Sequence, residues 1–382
     1  MKRIKILLLA FLICFHGVFA TGCWNYREVD DVSIVAGVAI DQGVNKKYQV
    51  TVEIVQTSGG RESKITSKLL TMEGNSILDA VRNGISLSGK NFYWSHAKVV
   101  IVSRKIAGEG MVKVTDWLSR DPETRLDVHL LISKEDSAKK ILEGKSMTVE
   151  VKSFELDDIL KNQKNLFKAP QIEIWEFTNN LAEEGISAIT PSTNLEKENG
   201  ADVLQIMGSA VFKHDKLIGF IDGEETKDML FVQNQIKGGL LTVDENGGKT
   251  PVTLEIFKNE TKIEPIISGS NIAMSISTDT TVAIDEIGGN ENYIDDEGRK
   301  KLEQDTEKML KNRIERFVKK IQSEYGADIF GFGAKLREDH NKVWNEVSEH
   351  WEERFKDLNI TVKTKVHIRN SAMLSKPLEV SD

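Results

Sequence analysis

Runs of β-branched residues dominate the first part of the chain and predict a group of strands. Ser33–Ile40, Tyr48–Val55 and Ile65–Met72 are rich in Val, Ile and Thr and are separated by turn-forming residues, which is typical of antiparallel neighbours. Ala97–Ser103 and Leu126–Ser133 are continuous apolar runs of the kind that buried strands show. Together these segments predict a mixed sheet.

Apolar residues at helical spacing separate these strands. Ser76 precedes Ile77, Val81 and Ile85, so that an N-cap residue is followed by a stripe at positions i, i+4 and i+8. A second stripe of this kind extends over Ala107–Leu118. Further helices are predicted at Ser133–Leu142, Phe154–Asn165 and Gln171–Glu184. We therefore expect the first folded unit to be a sheet with helices packed on it.

A segment rich in turn formers separates this unit from the rest of the chain. Pro191–Gly200 combines Pro, Ser, Asn and Gly with a mixed run of charges. We therefore predict an N-terminal α/β unit over residues 23–196 and a C-terminal unit of sheet and helices over residues 201–382. A further division of the second unit near residue 250 is left open, which gives two or three domains for a chain of 382 residues.

The C-terminal unit is predicted to contain a hairpin, further strands and two helices. Asp295–Glu297 place negative charge at the start of a long helix that ends at Gly326, and a second helix carries Trp344 and Trp351. Strands are predicted at Leu204–Lys213, Lys216–Ile221, Leu240–Val243, Val252–Phe257, Ile272–Ser277 and Thr281–Ile287, and a last strand over residues 360–368 alternates apolar and basic residues. The resulting fold class is α+β, with mixed and antiparallel sheets and packed helices.

The first 23 residues have the pattern of an export signal. Basic residues at positions 2–5 precede Ile6–Ala20, an apolar run that is shorter than the ~20 residues of a membrane-spanning helix. Ala20–Cys23 resembles a bacterial lipobox, whose cysteine receives S-diacylglycerol and an N-acyl chain and becomes the mature N-terminus. We therefore predict a lipoprotein signal peptide over residues 1–22 and a lipid anchor at Cys23. A plain secretory signal that leaves Cys23 as a free thiol is the alternative.

Composition and charge exclude several classes of protein. The chain has 51 Lys and Arg against 59 Asp and Glu, and this net charge of −8 argues against a nucleic-acid partner. Loss of Lys2, Arg3 and Lys5 with the signal changes the net charge from −8 to −11. The only other cysteine, Cys14, also lies in the signal, and lipidation would consume the Cys23 thiol, so a lipidated mature chain would have neither a disulfide framework nor a cysteine nucleophile. A lipid at Cys23, and not surface charge, would then hold the protein at the membrane.

The sequence contains no complete motif for catalysis or for a bound cofactor. Gly247–Thr250 includes the GKT of a phosphate-binding loop, but Val243 occupies the position that requires glycine, and a strand pattern follows. The histidines outside the signal have neither HxxxH nor HExxH spacing, and no serine lies in a GxSxG motif. We therefore expect no enzyme activity, no cofactor and no metal site.

Two surface patterns each allow two interpretations. Lys363, Lys365, His367 and Arg369 form one face of the last strand, which is either a solvated outer face or an anion-binding patch. The Trp344 and Trp351 pair either packs its helix onto the sheet or forms an exposed docking stripe. In both cases the structural interpretation is favoured over the functional one.

Several motifs spread along the chain resemble those of one family. They are Gly22–Glu28, Ser95–Ile101, Asp116–Asp121, Gly208–Lys213, Gly219–Asp222 and Asp328–Gly333, the last of which is followed by Trp344 and Trp351. In these residues the chain resembles the Ger(x)C family, the C subunits of the nutrient germinant receptors of endospore-forming bacteria. The similarity extends from the lipobox almost to the C-terminus.

The resemblance implies a lipid-anchored ectodomain of three α/β domains without a catalytic centre, on the outer face of the spore inner membrane. It also implies two partners, an integral-membrane A subunit and a transporter-like B subunit, and a role in germination triggered by amino acids or sugars. The alternative is a solute-binding lipoprotein that delivers small molecules to a transporter, which requires a deep cleft between domains. A secreted hydrolase, the third hypothesis, requires clustered acids or Ser/His pairs in the folded chain.

Overall fold

Two β-sheets organise the chain in the computed structural model, which describes residues 3–6, 31–57, 64–243, 252–288 and 292–369. The large sheet contains β1 (Val32–Gln42), β2 (Tyr48–Thr57), β3 (Ile65–Gly74), β4 (Asn91–Tyr93), β5 (Val99–Ser103), β6 (His129–Ser133), β7 (Ile189–Glu198), β8 (Ala201–Lys213) and β9 (Lys216–Ile221). The small sheet contains β10 (Leu240–Val243), β11 (Val252–Ser268), β12 (Asn271–Ile287) and β13 (Asn359–Ile368).

Helices cover both faces of the large sheet and the inner face of the small one. On the large sheet lie α1 (Ile77–Asn83), α2 (Ile85–Ser88), α3 (Arg104–Glu109), α4 (Val112–Arg120), α5 (Lys139–Glu143), α6 (Lys152–Asn162) and α7 (Ile174–Ala182). The second unit adds α8 (Gly223–Val232), α9 (Asp296–Lys320), α10 (Phe332–Asp339), α11 (Asn341–Val347) and α12 (Trp351–Lys356). Two apolar cores form on the large sheet, and a third lies between the small sheet and α9.

The strand order of the large sheet is β3-β2-β1-β5-β6-β7-β8-β9, with β4 beside the start of β1. The predicted antiparallel group of the first three strands is confirmed. β1, β5 and β6 are parallel, because helical segments connect them and return the chain to the same end of the sheet. The α+β class and the long helix that begins after Asp295 and is closed by Gly326 are also confirmed.

The turn formers of Pro191–Gly200, on which the predicted boundary rests, do not form an irregular segment. Most of this segment is β7, which pairs with β6 and β8, and Pro191 is tolerated because the register shifts next to it. Asn199 and Gly200, both with positive φ, form the tight turn between β7 and β8. The division of the chain into residues 23–196 and 201–382 stays a prediction, although this hairpin joins the two sides of it in one sheet.

Three further element predictions differ from the structure. The stripe over Ala107–Leu118 is divided into α3 and α4 at Gly110, whose φ of 137° ends α3 and where a Cβ would lie 2.5 Å from Asp215 Oδ2. The predicted helix with Trp344 and Trp351 is α11 and α12, separated by a 3₁₀ turn. The two strands predicted between residues 272 and 287 are the single strand β12, which stays paired with β11 through two register shifts.

Two buried carboxylates on the large sheet hold the first turns of helices. Both oxygens of Glu53 accept bonds at the start of α6, from Lys152 N at 2.9 Å and from Ser153 N at 2.8 Å. Asp41 accepts bonds from Ala138 N at 2.7 Å and Lys139 N at 3.0 Å, at the start of α5. Burial raises the pKa of Asp41, and these two bonds oppose that rise. The two strands thus fix the places where the helices begin.

A third buried carboxylate organises Asp328–Gly333, here called the junction segment. Four backbone N–H groups, those of residues 330–333, and the indole Nε1 of Trp351 donate to Asp328 at distances between 2.8 and 3.2 Å. Burial raises the pKa of Asp328 to about 6 although these donors favour the charged form. The backbone oxygen of Asp328 accepts from Ser187 N at 2.7 Å, so the junction segment is bonded to the chain that leads into β7.

We expect Glu53→Gln to lower the free energy of unfolding by about 3 kcal/mol, because the first turn of α6 loses a charged acceptor and its N–H groups stay buried. Urea unfolding followed by circular dichroism measures this difference. Glu109→Gln is the matched control, since Glu109 is exposed and its loss should change stability little. Equal unfolding midpoints for the two variants would contradict the capping role of Glu53.

We expect Asp328 to make stability depend on pH in a defined direction. Its folded pKa of about 6 lies above the value of 3.8 for a free Asp side chain, so the folded state binds a proton that the unfolded chain releases. This contribution to stability is complete below about pH 4 and is lost as the pH rises through about 6. Relative to Asp328→Asn, the wild-type chain should therefore gain up to about 3 kcal/mol as the pH falls from about 7 to about 4. Urea unfolding of both proteins across this range is the measurement, and parallel pH profiles would refute the assignment.

Candidate membrane anchor and interaction surfaces

The predicted anchor, Cys23, lies outside the described residues, and so does the GKT segment at Gly247–Thr250. The described chain continues at Asp31, eight residues after Cys23. Eight residues span at most about 29 Å when fully extended. Because β1 starts at Val32 and runs parallel to β4, β5 and β6, the amino ends of these four strands lie at the end of the sheet that is nearest in the chain to the predicted anchor.

A groove of about 980 Å³ lies between the two units, lined by α7, α10, β11 and the junction segment. Its charges are largely paired: Arg337 pairs with Glu183, and the ammonium of Lys335 lies 3.0 Å from both Glu338 and Asp339. Glu176 also lines the groove, and burial, together with a nearby carboxylate, raises its pKa. The solute-binding alternative requires a deep cleft between domains, and this groove lies in the corresponding place. Its lining combines polar and apolar residues and is open to solvent.

Trp344 and Trp351 are buried, so the packing interpretation of this pair is confirmed. They are 3% and 5% exposed, and their rings lie edge to face with centroids 5.5 Å apart. Trp351 Nε1 donates to Asp328, which the sequence pattern did not reveal. The pair therefore belongs to the core beneath the junction segment and forms no docking stripe.

The basic face of β13 is exposed, as the alternation of residues predicted. His367 lies 3.7 Å from Asp279 on β12, and the guanidinium of Arg369 lies 5.9 Å from the ring centroid of Phe257. Part of the free backbone edge of β13 is covered by α9, because Glu307 accepts from Val366 N and Glu303 accepts from Ile368 N. Both interpretations of the basic patch stay open.

His129 and Asp157 form a largely buried polar pair. The Nε2 of His129 lies 3.5 Å from Asp157 Oδ1, and the Nδ1 of the same ring is buried without a partner among the described residues. Burial lowers the pKa of His129, and the carboxylate of Asp157 opposes that change. The pair packs β6 against α6, and sequence reasoning missed it because Asp157 resembles any other acid on a helix.

The described residues form neither a cluster of metal ligands nor a membrane-spanning helix. Within them, no group of three or more His, Cys, Asp or Glu side chains converges as metal ligands would. In the same part of the chain, no helix has the length and apolar character that crossing a bilayer needs.

Comparison with known families assigns both units of the chain. The model of the spore germination protein N-terminal domain matches residues 25–195, and that of the C-terminal domain of spore germination B3/GerAC-like proteins matches residues 207–372. The unmatched residues between them, 196–206, comprise the end of β7, the whole β7–β8 turn and the start of β8. Together the two models cover nearly all of the chain.

Relatives and a solved structure agree with these matches over almost their full lengths. Spore germination protein B3 of Bacillus subtilis (strain 168) is 26% identical over 96% of this chain and 98% of its own. Spore germination protein KC of the same organism is 23% identical over 97% of each chain. The crystal structure of the GerBC protein has a TM-score of 0.57 at 22% identity and covers 91% of this chain and all of that one, which shows the same fold. The chain thus belongs to the Ger(x)C family of spore germination proteins.

Proposed function

We propose that this chain is the lipid-anchored, non-catalytic subunit of a nutrient germinant receptor. Cys23 carries S-diacylglycerol and an N-acyl chain, and the ectodomain lies on the outer face of the spore inner membrane. There it contacts an integral-membrane A subunit and a transporter-like B subunit that respond to amino acids or sugars. The observation that carries the proposal is the match to both germination-protein domains directly after a lipobox-like sequence.

Chemistry and geometry support a role through contact. The acyl chains contribute about 0.8 kcal/mol for each buried methylene, so two or three chains hold the protein at the bilayer without help from its acidic surface. The short tether from Cys23 to Asp31 keeps the amino end of β1 within about 29 Å of the lipid. Surfaces around that end of the large sheet are therefore the ones that reach membrane-embedded partners most directly.

The groove between α7 and α10 favours one other function, that of a solute-binding lipoprotein. Its volume of about 980 Å³ would accept a small molecule. Its charged groups are, however, largely used in ion pairs within α10 and between α10 and Glu183. Titration calorimetry with amino acids and sugars distinguishes the two functions. Only a solute-binding protein should give saturable heat of binding, and a substitution among the residues that line the groove should abolish that heat.

We expect Cys23→Ala to remove the lipid and, with it, the response of spores to nutrients. Without acyl chains nothing in the acidic ectodomain would retain it at anionic headgroups. Three measurements check this: incorporation of labelled palmitate, sedimentation of the protein with spore membranes, and the fall in optical density of spores after nutrient addition. All three should fall to background in the variant.

Cys14→Ala is the matched control, since Cys14 is the other cysteine of the chain and lies in the predicted signal peptide. This variant should keep the label, the membrane fraction and the germination response. A Cys23→Ala protein that supports normal germination, or a wild-type protein that takes up no palmitate, would refute the proposal. The second result would favour the plain secretory signal.

A further inference from the structure

A second cavity, of about 520 Å³, lies on the large sheet between α1 and α4. None of the residues that line it belongs to the junction segment. The inner wall of the cavity consists of the buried side chains of Tyr48, Ile77 and Trp117. Leu78, which is 42% exposed, adds an apolar surface at the mouth. A volume of this size, with aromatic and aliphatic walls, is typical of a site for a small molecule.

Positive charge surrounds the mouth of this cavity. Lys47, Arg82 and Lys113 line it and are exposed, and none of the three has a carboxylate partner in the part of the chain that the structure describes. Arg120 also lines it but is already used, because its Nε lies 2.7 Å from Asp116 Oδ1. Two carboxylates line the cavity as well, Asp116, which pairs with Arg120, and Asp121, which accepts from Glu123 N. Four cations against two carboxylates leave an excess of positive charge here, in a chain whose net charge is −8.

Trp117 adds a fixed aromatic ring to the same wall. Its ring packs edge to face against Trp94, with centroids 5.5 Å apart, and this contact holds the indole in place. Its Nε1 is shielded from water, so a molecule in the cavity would contact the ring and not the N–H group. The wall is therefore an apolar surface.

We propose that this cavity binds a small monocarboxylate with an aromatic or branched apolar body. The body lies against Tyr48, Ile77 and Trp117, and the carboxylate lies among Lys47, Arg82 and Lys113 at the mouth. Apolar contact supplies affinity, and the cations select the ionised carboxylate over a neutral molecule of the same shape. The site goes beyond the proposed function, which requires no ligand on this subunit.

The test uses the full-length chain in nonionic detergent and two probes of equal shape, 3-phenylpropanoate and its neutral amide, 3-phenylpropanamide. Titration calorimetry should give saturable binding of the carboxylate with a Kd below about 1 mM. The amide should bind at least about tenfold more weakly, because it lacks the charge-assisted contacts. Tryptophan fluorescence should change with the carboxylate, and Trp117→Phe should remove that change.

Lys113→Gln should weaken binding of 3-phenylpropanoate about tenfold, since one charged contact is lost from the mouth. Lys105→Gln is the matched control: Lys105 is also exposed, lies on α3 and does not line the cavity. It should leave the Kd unchanged. Absence of saturable heat, equal affinity for acid and amide, or equal weakening by the two lysine variants would each overturn the proposal. Failure here leaves the palmitate and germination measurements on Cys23 unaffected, so the two proposals fail separately.

Discussion

The described structure depends on buried carboxylates that are held by backbone N–H groups. Removing an ionised carboxylate from water is costly unless donors replace the lost hydration. The first turn of a helix provides such donors, because its N–H groups have no partner within the helix. Glu53 and Asp41 use the first turns of α6 and α5, which lie 100 and 97 residues further along the chain. Each bond satisfies an acid and a helix end together, and so fixes where a helix lies on the sheet.

Asp328 extends the same principle to the contact between the two units. It accepts four backbone N–H groups and one indole donor, so the junction segment has essentially one conformation that satisfies its acid. That conformation places the backbone of Asp328 against Ser187 and that of Ala334 against Gly185. The large and small sheets are therefore joined by main-chain bonds. The proposed role through contact would use this property, because surfaces on both sheets keep a fixed relation to each other.

The sequence predicted those parts of the fold whose signal is local. Strand β13 was predicted from alternation, α9 from its acidic start and its stripe, and the first three strands from β-branched runs. The strand in Pro191–Gly200 was not predicted, because the composition of this segment is typical of turns. Pairing with a neighbour on each side makes it a strand. The buried acids could not be found, since nothing in the chain distinguishes Glu53 or Asp328 from the other 57 acids. Their role depends on contacts that only the folded chain creates.

The two candidate sites differ in the same respect, since one has a local sequence signal and the other does not. Cys23 is recognisable because lipidation requires a local sequence, whereas the cavity at Trp117 joins α1, α4 and the start of β2, which no linear pattern connects. The anchor proposed at Cys23 would leave the ectodomain free to rotate above the bilayer, so contacts with the proposed partners would set its orientation. At β13, Glu303 and Glu307 of α9 already occupy two of the edge N–H groups, so recognition there through side chains is favoured over nonspecific strand pairing.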